Sequence, residues 1–284
     1  MMEVLLTLLK LSVVALILAI GMSSTFSDLG YLWRRPALLA RSFLAMYVAV
    51  PFAAWLVVQA IPVAPPVKAA LLVLAASAGA PLLPKKLLGL GSGAYVFSLV
   101  VSSSVLAIVL VPVWVALLGR YFEAAADLSP VTVALVVAKS FLVPLAIGMV
   151  LRALAPRLCE RLANRLLALA GIVLAASGVV LLALSWETLL QVRGWGVLAL
   201  VVLLLISLAI GHALGGPLPD DRTALAVACS TRHLGLAIVV ASSYPGARSI
   251  VLVAAYFATS LLVTLPYLRW RRKVAAKSRS VGTA

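Results

Sequence analysis

Apolar residues run through this chain in blocks of about 20, the length that crosses a hydrocarbon layer of about 30 Å as a helix. Short polar or proline-rich punctuation separates the blocks. The pattern predicts helices over Met1 to Met22, Ala37 to Ile61, Val67 to Ala78, Ala94 to Leu118, Pro130 to Leu151, Leu166 to Leu184, Trp195 to Leu214, Ala224 to Ser242 and Ala247 to Leu268. Turns fall at Asp28 to Pro36, Pro62 to Pro66, Gly119 to Ser129, Arg152 to Arg165, Ser185 to Gly194 and Gly215 to Arg222, with a basic tail after Leu268. Nine spans follow, an all-α integral membrane architecture in one transmembrane domain, residues 1–284. Two of the blocks are broken. Gly79-Ala80-Pro81-Leu82-Leu83-Pro84-Lys85-Lys86 interrupts the third with two prolines that remove backbone donors. Ser230-Thr231-Arg232-His233 followed by Gly235 interrupts the eighth at mid-depth, where Arg232 is too far from either end to reach an interface. Such interruptions are tolerated where protein or a water-filled cavity replaces lipid.

Composition agrees with this picture. Of 284 residues 64% are hydrophobic and 11% charged, far from the roughly 45–50% apolar and 25% charged of a soluble domain. The two cysteines, Cys159 and Cys229, fall in a basic loop and at mid-membrane depth, so neither a disulfide nor a thiol metal cluster is suggested. No nucleophile–base pair or phosphate loop appears, which argues against an enzyme. No cofactor is implied. The net charge of +15 reads as a topology signal rather than a nucleic-acid surface. With nine spans, 14 of the 23 cations fall in loops on the side of the C-terminus and four on the other, so the positive-inside rule puts the C-terminus in the cytoplasm and the N-terminus outside. All eight acids sit in termini or loops. That leaves the spans without the carboxylates that usually hold Na⁺ or relay H⁺.

Several of these features occur together in one known family. Gly21-Met22 before the Asp28–Pro36 turn, the Gly79–Lys86 break, Lys139 with Pro144, and Arg222-Thr223 leading to a polar break and Gly235-Leu236-Ala237 resemble the bile acid:sodium symporter family. The resemblance covers nearly the whole chain. It implies two inverted repeats, about residues 1–120 and 130–270, followed by a basic cytoplasmic tail, 271–284. It also implies two broken helices, spans three and eight, that cross in a mobile core, with spans one, five and six as the panel. The chain departs from the family where sodium would bind. The family's Gly-Gly-Thr-Ala-Ser-Asn-like break is replaced by Ala80-Pro81-Leu82-Leu83-Pro84-Lys85, and its Glu with a following Gln-Asn pair by Ala228, Arg232 and His233. Small hydroxyls such as Ser98 and Ser102 are what remains of that set.

The candidate substrate-binding residues are therefore Arg232, His233, Thr231, Ser230, Lys85, Pro81, Ser98 and Ser102. No metal site is assigned. Each has a plainer alternative. Arg232 either meets an anion, takes the place of a sodium ion, or is satisfied by carbonyls in a packed core. Lys85 either faces the site or anchors the cytoplasmic interface; His233 couples a proton or is a neutral core histidine; the hydroxyls either line the site or bond to the preceding turn. The expected function is a secondary transporter of a small organic anion in a bacterial-type inner membrane, working by alternating access without sodium, with a proton or no ion coupled. The alternatives are a sodium-coupled symporter using backbone ligands and a binding-only membrane sensor. Partners are the anionic substrate and membrane lipid, with no nucleic acid.

Overall fold

The computed structural model describes residues 2–77, 93–121, 130–184, 194–232 and 248–281. These residues form ten helices: α1 (Met2–Ser23), α2 (Phe26–Leu29), α3 (Pro36–Ala60), α4 (Pro65–Ala76), α5 (Gly93–Tyr121), α6 (130–154), α7 (Pro156–Leu184), α8 (Trp195–Leu214), α9 (Pro219–Ser230) and α10 (Arg248–Val281). Three stretches, Pro36–Ala60, Gly93–Trp114 and Trp195–Leu214, are each long and apolar enough to cross a membrane. Lys10–Ser23 and Val67–Ala76 are shorter apolar helices.

Proline sets half of the starts. α3, α4, α6, α7 and α9 each open on one, where the missing N–H costs nothing and the fixed φ suits a first turn. Inside a helix proline has the opposite effect. α3 widens into a π-helical stretch over Leu44–Ala49 just ahead of Pro51, and α6 does so over Ala138–Leu142 ahead of Pro144. The carbonyl of Tyr47, four residues before Pro51, cannot receive a proline N–H and accepts the Trp114 Nε1–H of α5 at 3.2 Å instead.

Several boundaries differ from the sequence reading. The arginine-bearing stretch expected as a loop is largely helical, because α7 starts at Pro156 and carries Arg157, Arg161 and Arg165 in its first three turns. α5 runs through Pro112 to Tyr121, α9 begins at Pro219 and so includes Arg222, and the basic tail continues α10 as far as Val281. Beside the apolar parts of α7 and α10 stand good helix formers such as Arg, Leu, Ala and Lys, so those helices continue past the point where lipid would end, whereas α9 starts early because Pro219, Asp220 and Asp221 suit a first turn.

The helices pack in two groups. α1 lies against both α6 and α7. Gly21 and Gly148 make this seam close: a Cβ on Gly21 would stand 2.4 Å from the Leu145 carbonyl oxygen, and one on Gly148 2.3 Å from that of Leu18. In the second group two triplets have the same make-up, a long helix, a 12-residue helix opening on proline, and another long helix: α3-α4-α5 and α8-α9-α10. Each short helix touches both triplets. α4 packs on α3, α5 and α10, and α9 on α8, α10, α5 and the π-helical turn of α3.

Candidate functional site

Helix α9 leads into the candidate residues Ser230, Thr231 and Arg232. Every residue from Thr223 to Ser230 is buried, an arrangement for which small side chains (Thr, Ala, Cys, Ser) on α9 and Gly211 on α8 are required. A Cβ on Gly211 would lie 2.5 Å from the Leu225 carbonyl oxygen. The helix ends at Ser230, and Thr231 turns extended with φ −112° and ψ 139°. This releases the last carbonyls of α9; the Thr231 N–H bonds to Ala228 O, and side-chain hydroxyls take up two others. Val227 O accepts the Ser230 hydroxyl at 3.0 Å and the Thr231 hydroxyl at 2.5 Å. Ser230 O accepts Tyr256 at 2.7 Å and Ser260 at 2.9 Å, both from α10. Ser230 Oγ also lies 3.4 Å from Thr264 Oγ1.

Beside these carbonyls stands Arg232, only 2% exposed. Its guanidinium meets the Tyr256 hydroxyl, and its charge is felt at Cys229 on α9 and at Tyr47 on the π-helical turn of α3. The Tyr47 hydroxyl donates to the Ser103 carbonyl and so ties α3 to α5. Nη1 of Arg232 is buried and has no hydrogen-bond partner among the described residues. Nor does Arg232 form an ion pair there. An isolated buried cation costs several kcal/mol or more unless something neutralises it, and charge-assisted bonds from a guanidinium are the strong ones available to an anion.

Ser230, Thr231 and Arg232 are thus together at the end of α9. Ser98 and Ser102 are elsewhere on α5 and hold the α1–α3 connection. Ser98 Oγ accepts the Leu32 N–H at 3.0 Å and donates to the Leu29 carbonyl at 2.7 Å, while Ser102 Oγ accepts the Trp33 Nε1–H at 3.1 Å. Neither bonds to the preceding turn of its own helix in these contacts. Pro81, Lys85 and His233 lie outside the described residues, as does the Gly79–Lys86 break. The sequence reading missed Tyr47, Tyr256, Ser260 and Thr264. A spacing signal existed for three of these: Tyr256, Ser260 and Thr264 recur every four residues and so share one face of a helix.

The other end of α9 is clamped. Arg271 of α10, nearly buried, donates through Nε to Thr223 Oγ1 and through its terminal nitrogen to Pro219 O, both at 2.9 Å. Asp221 pairs with Arg35 at 3.6 Å and lies 3.5 Å from the Tyr31 hydroxyl. Burial pushes the Asp221 carboxyl above the usual carboxylate range, opposed by Arg35 and the Tyr31 hydroxyl. Arg152 Nη1 donates to Met22 O at 3.1 Å. These contacts gather the 22–35 segment, the α6–α7 turn, the start of α9 and the Arg271 region at one end of the bundle. Where the two helix groups meet, α1, α5 and α7 border a mainly apolar cleft lined by Ile20, Ser23, Ser24, Val96, Phe97 and Leu167 among others.

Three membrane-length apolar helices, with two shorter apolar ones beside them, define a multi-pass helical membrane protein. Its family follows from comparison with known proteins. The model of the sodium bile acid symporter family matches residues 10–192, almost two thirds of the chain. The chain belongs to that family, whose members are membrane transporters. The matched segment ends before α8, so α9 and Arg232 lie beyond it. No curated protein matches the chain.

Proposed function

We propose that the protein is a secondary transporter of a small organic anion, that Arg232 binds the anion, and that no sodium ion is coupled. One observation carries the reading: the Arg232 guanidinium is buried with a nitrogen that has no partner among the described residues, while the Val227 and Ser230 carbonyls at the end of α9 already accept hydroxyls. Those carbonyls are where a cation would be held at a half-helix end. An arginine already beside them repels Na⁺ and leaves an anion from solution as the missing partner.

The paired triplets α3-α4-α5 and α8-α9-α10 support two inverted repeats of a nine-span transporter, with α4 and α9 as the leading halves of its two broken helices. The α1-α6-α7 group is then the panel against which the rest moves in alternating access. The basic end of the bundle is read as cytoplasmic in a bacterial-type inner membrane, with the N-terminus outside. A reporter fused after Arg272 then lies in the cytoplasm and one inserted at Glu123 outside.

The test is flux of labelled organic acids into liposomes with Na⁺ exchanged for K⁺, together with binding and thermal melting of purified Arg232→Gln. Flux indifferent to the exchange is expected. The variant should melt as high as the parent or higher, yet bind the transported acid about 10- to 150-fold more weakly, the equivalent of losing one charge-assisted bond of roughly 1.5–3 kcal/mol. Steep dependence on Na⁺ with unchanged binding by the variant would establish a sodium-coupled carrier instead. Binding without flux would establish a sensor.

A further inference from the structure

The outer face of α7 combines two features at one depth. α7 has 29 residues, about 43 Å at 1.5 Å per residue, whereas about 20 residues cross the hydrocarbon. Its apolar part starts near Leu166, so the first ten residues reach beyond the hydrocarbon. They do not stand free in solution, since Cys159 and Ala163 are buried against Met22 in the last turn of α1. That contact places the segment at the level where α1 leaves the bilayer.

On the opposite face Arg157, Arg161 and Arg165 are exposed and spaced by four residues, which aligns them in one stripe. Asn164 lies within the stripe, and Glu160, also exposed, on its edge. None of the three arginines is in an ion pair among the described residues. The same helical face continues toward the membrane centre as exposed Leu169 (61%) and Ile172 (67%). Arginines at headgroup level above an uncovered apolar strip on one helix face match the two halves of a phospholipid.

We propose that this face of α7 binds an anionic phospholipid of the cardiolipin class, its phosphates on Arg157, Arg161 and Arg165 and its acyl chains along Leu169 and Ile172. Guanidinium forks suit phosphate oxygens, and each basic side chain at a bilayer surface contributes about 1 kcal/mol toward anionic lipid. A double phosphate spans a stripe of this length, and the apolar strip separates a lipid from a free anion. The proposal is independent of Arg232 and of what the protein transports.

The test titrates cardiolipin into the detergent-purified full chain and follows melting temperature and lipid retention by native mass spectrometry. The comparison is between Arg157→Gln/Arg161→Gln/Arg165→Gln and a control of equal charge at the same end, Arg269→Gln/Arg272→Gln/Lys273→Gln. Cardiolipin should stabilise the parent and the control, and its apparent Kd should rise about 100-fold in the α7 variant. Arg161→Gln alone, should the triple variant not fold, should raise it about fivefold. Phosphatidylcholine and free pyrophosphate should stabilise neither. Equal loss in the control would show unspecific attraction, and pyrophosphate acting as well as the lipid would show a soluble-anion site. Either result, or a parent indifferent to cardiolipin, overturns the proposal.

Discussion

The seam of α1 with α6 and the seam of α8 with α9 are closed by the same device and hold different things. In both, glycines let backbones approach until a single Cβ would overlap the neighbouring main chain: Gly21 and Gly148 in the first, Gly211 and Gly215 in the second. The first seam is otherwise apolar, and the Arg152 bond to Met22 O lies at its end. The second presses a helix of small residues into a surrounding of hydroxyls and a buried guanidinium. Close packing in the first gives a rigid joint. In the second it fixes where a charge stands. The same physical means therefore serves support in one region and positioning in the other.

The sharpest way to break this comparison is to add one methyl group to each seam. Gly148→Ala and Gly211→Ala should both lower the melting point, with an overpacking cost of about 1–3 kcal/mol or more because the atoms met are backbone. They should differ in binding. Gly148→Ala leaves anion affinity per folded molecule unchanged, whereas Gly211→Ala displaces α9 and Arg232 and weakens it. Equal effects on binding would mean that the two seams are not functionally distinct.

A second test loosens the clamp on α9. Arg271→Gln removes the charge-assisted bonds to Thr223 Oγ1 and Pro219 O and should cost roughly 1.5–3 kcal/mol in denaturant or thermal unfolding. The smallest effect is expected from Ser98→Ala. It leaves the Leu32 N–H and Leu29 carbonyl without that hydroxyl, at about 1–3 kcal/mol of stability, while anion affinity stays at the parent value. A loss of affinity with stability intact would bring Ser98 into the site after all.

The hydropathy pattern located the helices well because lipid-crossing segments must be long, apolar and internally hydrogen-bonded whatever surrounds them. Trp195–Leu214 was legible to the residue, and α3 and α5 to within a few. Arg232 stood out for the same reason: a cation at mid-depth violates the pattern. Boundaries beside basic segments were not legible, since a helix such as α7 goes on past the lipid edge without changing its backbone preferences. The partners were hidden as well. Nothing local in the chain says that Ser98 is spent on Leu29 and Leu32, 66 to 69 positions away, or that Tyr256 and Ser260 close the end of α9.

The sequence by itself thus determined an all-helical membrane protein, its family resemblance and a cation at mid-span, Arg232, that demands an explanation, because these depend on hydrophobicity and residue type along a single strand. Only the tertiary structure decided which hydroxyls gather at the end of α9 and which hold loops, and that the Val227 and Ser230 carbonyls there already accept hydroxyls. Those are choices among donors and acceptors far apart in the chain, and the bonds are made by whichever groups the packing of α3, α5, α9 and α10 brings within 3 Å or so of each other.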